Sequence, residues 1–102
     1  KKNIQYTAMI HLKDFYFRRS SQFAGSGQMF RCDSGTWFKT YTGNYLRGSI
    51  VGEGDIDMWE VMRVIKESGY DGYISIEFEG MEDCREGTKA GLENARRIWD
   101  SI

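Results

Sequence analysis

The sequence lacks several features that mark particular classes of protein. Its two cysteines, Cys32 and Cys84, lie far apart and form neither a CxxC motif nor a zinc-type spacing. Two free thiols in a reducing cytoplasm are therefore expected, not a disulfide framework. No apolar run approaches the ~20 residues of a membrane helix, and no basic-then-apolar leader is present. We expect a soluble, cytoplasmic chain with no membrane partner.

An excess of charge of one sign is also absent. The formal net charge is -1, and basic and acidic residues are interspersed along the chain. Proteins that bind nucleic acid are usually strongly basic, so nucleic acid is not expected as a partner. Short basic pairs such as Arg18-Arg19 and Arg96-Arg97 are typical of a solvated surface.

The composition is nevertheless that of a folded protein. Hydrophobic residues make up 40% and aromatic residues 15% of the 102 positions, which is enough to build a core and too much for a disordered tail. The length suits one small domain. The first residue is Lys1, not Met, and we expect a boundary or a processing event there.

Two strands and two helices are predicted outside a long central stretch. Residues 4–12 are apolar and β-branched, which favours a buried strand that ends near His11. A helix is predicted over 57–68, because Asp57 begins a capping box and Gly69 supplies a terminating glycine. A second strand follows over 73–78. The last helix begins at Glu82 or Asp83 and runs to about residue 102.

The central stretch is glycine-rich and aromatic. Residues 29–32 and 36–42 flank Asp33-Ser34-Gly35, a pattern that predicts a hairpin with a three-residue loop. So long a stretch is often a lid or a binding loop. Its aromatic residues either hold such a hairpin together or stack on a sugar ring: Trp37, Phe38, Tyr41 and Tyr45.

The order strand, helix, strand, helix defines a βαβα unit, which predicts a parallel sheet with a right-handed crossover. Two strands cannot bury both faces of a parallel pair. The unit therefore needs the rest of a barrel or partner chains, and we expect the isolated chain to self-associate.

One imidazole and one carboxylate occupy equivalent places in this unit. His11 lies at the C-terminal end of the first predicted strand and Glu77 near that of the second. In α/β barrels such strand ends carry the functional groups, so the two side chains are expected to point at one site. Histidine and glutamate together suit a divalent metal. Without further support, each is better explained as an ordinary strand-end residue.

Three segments in order carry a resemblance to a known family. They are residues 11–14 (HLKD), 52–57 (GEGDID) and 68–77 (SGYDGYISIE). Together they resemble the xylose isomerase-like TIM-barrel superfamily, and most of all its sugar phosphate isomerases and epimerases. The likeness covers residues 4–14 and 50–102 and leaves the insertion at about 15–49 unexplained.

The resemblance implies a fold and a chemistry. The chain would be a single partial domain, residues 1–102, forming the C-terminal βαβα portion of a (β/α)8 TIM barrel with a long loop or hairpin insertion after its first strand. A whole barrel needs roughly 250 residues, so the N-terminal barrel portion would be missing. The substrate would be a small sugar or sugar phosphate.

The resemblance also implies site residues. His11 and Glu77 would be metal ligands, with Glu77 also the catalytic acid/base, and the remaining ligands would come from earlier strands. The metal would most often be manganese, with magnesium, cobalt or zinc as alternatives. It would polarise the substrate carbonyl.

Other charged residues are weaker candidates. Lys13 or Asp14 could reach substrate or orient the imidazole, or could simply form a strand-end ion pair. Arg47, like Arg18 and Arg19, could bind a phosphate or hydroxyls, or could be a solvent-facing loop charge. Glu53 is interpreted as a turn carboxylate. Glu79, which could share the face of Glu77, is assigned to the loop.

Two alternatives stay open at this point. The apurinic endonuclease branch of the same superfamily carries an additional Asp and His before the Gly-Glu-Gly turn. Residues 46–51 here read LRGSIV, and His11 is the only histidine, so DNA repair is disfavoured. The other alternative is a non-catalytic fragment or assembly module.

Overall fold

The described part of the chain contains two small sheets and two longer helices. The computed structural model describes residues 2–19 and 37–102. Within these ranges a short 3-10 helix at Ile4–Tyr6 precedes five strands and two α-helices. In chain order the strands and helices are β1 (Ile10–Leu12), β2 (Asp14–Arg18), β3 (Phe38–Lys39), β4 (Tyr45–Ser49), α1 (Met58–Glu67), β5 (Ile74–Ile76) and α2 (Cys84–Ser101).

The first sheet is the parallel pair of β1 and β5. Ile10 lies opposite Ile74 and Leu12 opposite Ile76, so the two strands end at the same level. The backbone N–H of Glu77 donates to the carbonyl of Leu12 at 2.9 Å and extends the pairing by one step. The parallel pairing agrees with the element order, whereas the barrel around it is still a prediction.

One face of this sheet packs on the helices. Successive residues of a strand point to opposite faces, so the isoleucines and Leu12 share one side. They pack against the apolar stripes of α1 and α2, which remove this face from water. The buried cluster consists of Leu12, Val51, Met58, Met62, Ile65, Ala95 and Ile98. The alternate positions, which include His11, lie on the face that the helices leave open.

The second sheet is antiparallel and has the order β2-β4-β3. Lys13 is the single residue between β1 and β2, so this sheet starts directly at the C-terminal end of the parallel pair. Phe15 lies opposite Gly48. A β-carbon at Gly48 would collide with the backbone carbonyl of Glu79, which shows how closely β4 approaches the loop after β5.

The ends of α1 follow local chemistry. The Asp57 side chain accepts the backbone N–H of Glu60 at 3.0 Å, which satisfies a donor that the first helical turn cannot. After the helix, Gly69 adopts a left-handed φ of 74°, as a terminating glycine does. Asp83 caps α2 in the same way, by accepting the backbone N–H groups of Arg85 and Glu86.

The prediction of one strand over residues 4–12 is wrong for residues 4–9. Residues Ile4–Tyr6 form a 3-10 turn, in which the N–H of Tyr6 donates to the carbonyl of Asn3 at 3.0 Å. The Thr7 hydroxyl also donates to that carbonyl, at 3.2 Å. These local hydrogen bonds outweigh β-propensity, and the strand begins only at Ile10.

The predicted hairpin at residues 29–42 falls largely outside the described residues. In the described residues, the strand predicted over 36–42 is limited to Phe38 and Lys39, which pair with Leu46 and Tyr45 of β4. Thr40 and Asn44 close the connecting turn with a backbone bond of 2.7 Å.

Cys84 is a free, exposed thiol. In residues 2–19 and 37–102, neither helix has the length and apolar character needed to cross a membrane.

Candidate functional site

His11 and Glu77 meet at the C-terminal ends of the parallel strands. The Nδ1 atom of His11 lies 2.6 Å from Oε1 of Glu77. In the β1–β5 register His11 is opposite Ser75, so Glu77 stands two residues further along the same face. The side chains are 46% and 41% exposed, respectively, which leaves room for a ligand beside them. The sequence-predicted pair is therefore brought together.

Lys13 joins the pair from the same face. Its Nζ atom lies 3.7 Å from Oε2 of Glu77 and 2.9 Å from Oε2 of Glu79. The same ammonium lies 5.6 Å from the centre of the Phe15 ring. The site thus contains one imidazole, two carboxylates and one ammonium. Lys13 was expected either to reach substrate or to form an ion pair, and it forms the ion pair.

Asp14 has a role that none of the sequence-based interpretations gave it. It is 1% exposed and does not contact His11. Its carboxylate accepts the backbone N–H groups of Phe15, Gly52, Gly54 and Ile56 at 2.8–3.3 Å. The expectation that Asp14 orients the imidazole or binds substrate is wrong. The residue ties β2 to the loop that precedes α1.

Arg47 lies away from this group. It is opposite Tyr16 in the β2–β4 ladder, with its guanidinium carbon 5.7 Å from the Tyr16 ring centre. Because side chains alternate along a strand, it points to the side of β4 opposite to that on which Gly48 meets Glu79. Its Nε atom is buried and has no hydrogen-bond partner in the described structure. A substrate-binding role for Arg47 is still a prediction, without a contact to His11 or Glu77.

Glu53 and Arg18 behave as surface residues near the helix start. Glu53 is exposed in the loop between β4 and α1. Arg18 donates to the carbonyl of Phe17 at 2.7 Å and lies 3.5 Å from Asp55 Oδ2. Its guanidinium carbon is 5.8 Å from the Trp37 ring centre. These contacts hold the end of β2 against Asp55 and Trp37.

The donor atoms of His11 and Glu77 suit a divalent ion, but the pair is only part of a coordination sphere. A neutral imidazole and a carboxylate are ligands for Mn, Co or Zn, and the carboxylate also suits Mg. No group of three or more His, Cys, Asp or Glu side chains is placed to hold a metal in residues 2–19 and 37–102. The Nε2 atom of His11 has no partner among those residues. Further ligands would have to come from elsewhere.

Glu79 lies in the loop after β5, as the sequence analysis assigned it. It also shares the face of Glu77, the possibility that the strand period of two had raised. Its ion pair with Lys13, at 2.9 Å, was not predicted.

Comparison of the chain with protein-family models, with curated proteins and with solved structures found no match to any of them.

Proposed function

We propose that this chain is the C-terminal βαβα portion of a (β/α)8 barrel, and that the complete barrel is a cytoplasmic, divalent-metal-dependent sugar or sugar phosphate isomerase or epimerase. The observation that supports the proposal best is the 2.6 Å contact between His11 and Glu77. An imidazole and a carboxylate converge there at adjacent strand ends, on the sheet face not covered by helices. That is the place where barrel enzymes carry their functional groups.

In this proposal His11 and Glu77 would hold the metal together with ligands from earlier strands, and the ion, Mn²⁺ in the first instance, would supply a Lewis acid for the substrate carbonyl. Glu77 takes the proton from the carbon beside that carbonyl. In an isomerase it returns the proton to the neighbouring carbon, whereas epimerisation needs a second acid on the opposite face of the substrate, supplied by the earlier strands. Lys13, whose side chain is 27% exposed beside Glu77, would donate a hydrogen bond to a substrate oxygen in this proposal.

The experiment measures how fast the substrate proton on the carbon beside the carbonyl exchanges with solvent. The full-length enzyme is incubated with ketoses or sugar phosphates and Mn²⁺ in D₂O, and deuterium incorporation beside the carbonyl is followed by proton NMR. Removal of the acid/base or of a metal ligand should slow exchange by about a hundredfold or more, so His11→Ala and Glu77→Gln should both do so.

The matched control is Glu60→Gln. Glu60 is an exposed glutamate on α1 whose carboxylate pairs with Arg63 of the same helix at 2.7 Å, so the same chemical change there should leave exchange unaltered. Parallel reactions with Mg²⁺, Co²⁺ and Zn²⁺ identify the preferred ion. Normal exchange in both site variants would contradict the proposal.

A further inference from the structure

Lys13 is the best-buried member of the candidate site. Its side chain is 27% exposed, whereas those of His11 and Glu77 are 46% and 41% exposed. Three neighbours fix its position, namely Glu79 at 2.9 Å, Glu77 at 3.7 Å and the face of the Phe15 ring. An ammonium held in this way puts a positive charge beside the proposed metal ligands.

The two oxygens of Glu77 have different neighbours. Oε1 faces the His11 imidazole and Oε2 faces the Lys13 ammonium. Lys13 therefore competes with any second cation for the carboxylate. Glu79 holds Lys13 at shorter distance than Glu77 does, so it keeps the ammonium in place without drawing it away from the site.

We propose that Lys13 is a positioning residue that limits the affinity of the site for divalent cations, and that Glu79 moderates this limit by sharing the ammonium with Glu77. This inference rests on the proposed metal-dependent function and adds how the site is regulated. The positive charge repels an incoming divalent ion. Its contact with Oε2 leaves Oε1, which is hydrogen-bonded to His11, as the oxygen that would bind the ion once that hydrogen bond opens. The result is an ion that binds weakly enough to exchange.

The test is a titration of the full-length protein with Mn²⁺ alone. Binding is measured by calorimetry and by the loss of the EPR signal of the free ion. Lys13→Gln removes the charge and should bind Mn²⁺ about three- to tenfold more tightly, the size expected for a partly screened ion pair. Lys13→Arg keeps the charge and should bind as the parent protein does. Lys89→Gln makes the same charge change at an exposed position of α2 and should alter nothing.

Glu79 is tested by its coupling to Lys13. Glu79→Gln in the parent protein leaves the ammonium to Glu77 alone and should weaken Mn²⁺ binding. In the Lys13→Gln background the same change should have less than about a twofold effect, because residues that act as a unit give non-additive effects. A larger effect in that background would make Glu79 a direct ligand and would contradict the positioning role.

The remaining outcomes separate the inference from the proposed function. If the parent protein binds Mn²⁺ and Lys13→Gln binds it equally or less tightly, the affinity-limiting role is wrong and the metal function stands. If neither the parent nor any variant binds Mn²⁺ at millimolar concentration, both are wrong.

Discussion

The Asp14 carboxylate accepts the backbone N–H of Gly54 at 3.0 Å, across 40 positions of sequence. The same carboxylate accepts the N–H groups of Gly52 and Ile56. A β-carbon at Gly54 would collide with the Asp14 carboxylate and the Ser49 hydroxyl, so the loop approaches the aspartate as closely as its backbone allows. Because Asp14 follows Lys13 directly, this buried contact also fixes the backbone from which the Lys13 side chain reaches Glu77.

Asp14→Ala should destabilise the fold strongly. The change leaves four backbone N–H groups without their acceptor in a position that is 1% exposed. A buried donor left without its acceptor costs about 1–3 kcal/mol of unfolding free energy, and four donors lose theirs here, so urea denaturation should show a loss of about 3 kcal/mol or more. Asp71→Ala, at an exposed aspartate, is the control and should stay within about 0.5 kcal/mol of the parent. A loss below about 1 kcal/mol for Asp14→Ala would show that the loop does not depend on this carboxylate.

Gly48→Ala should destabilise the contact between the two sheets. The new methyl group would meet the Glu79 carbonyl, and such overpacking costs about 1–3 kcal/mol. The variant should also weaken Mn²⁺ binding, because Glu79 must move and it anchors Lys13. Gly91→Ala is the comparison and should be the less destabilising change. A β-carbon at Gly91 would lie 3.2 Å from the nearest atom, the Ile76 methyl, and alanine favours the helix. Equal stability of the two variants would contradict the close approach of β4 to this loop.

The features that local chemistry determines could be predicted from the sequence. The helix predicted over 57–68 is observed as Met58–Glu67, with Asp57 as its cap and Gly69 at its end. Both signals lie within a few residues of the helix ends that they define. The order of the elements, a different signal, predicts that the two strands pair in parallel. That pairing brings His11 beside Glu77.

The features that depend on distant contacts could not be predicted. Asp14 binds a loop that begins 38 residues later, and nothing near it in sequence indicates that contact. The first strand begins later than predicted for a local reason. Hydrogen bonds of the turn that follows Asn3 outweigh the β-rich composition of the segment.

The isolated chain should self-associate. The β1–β5 sheet has one face without helices, and apolar side chains at the N-terminal end of that face are exposed, with Met9 at 57% and Tyr73 at 88%. Replacing both by lysine should weaken association in sedimentation experiments. Tyr41→Lys is the control and should leave association unchanged, because Tyr41 is a fully exposed tyrosine in the turn after β3. A stable monomer of the parent chain at high concentration would contradict this prediction.

The most direct measurement is made on the 102-residue chain, in which His11 is the only histidine, so its imidazole proton signals need no further assignment. His11 and Glu77 alone would hold an ion weakly, and this measurement requires only weak, exchanging binding. Mn²⁺ is paramagnetic and broadens the signals of nearby protons. If His11 and Glu77 share a metal, Mn²⁺ should broaden the His11 signals first, leave the ring signals of the exposed Tyr41 sharp, and lose most of this effect in Glu77→Gln. His11 signals that stay sharp, or that broaden equally in Glu77→Gln, would contradict the shared metal site.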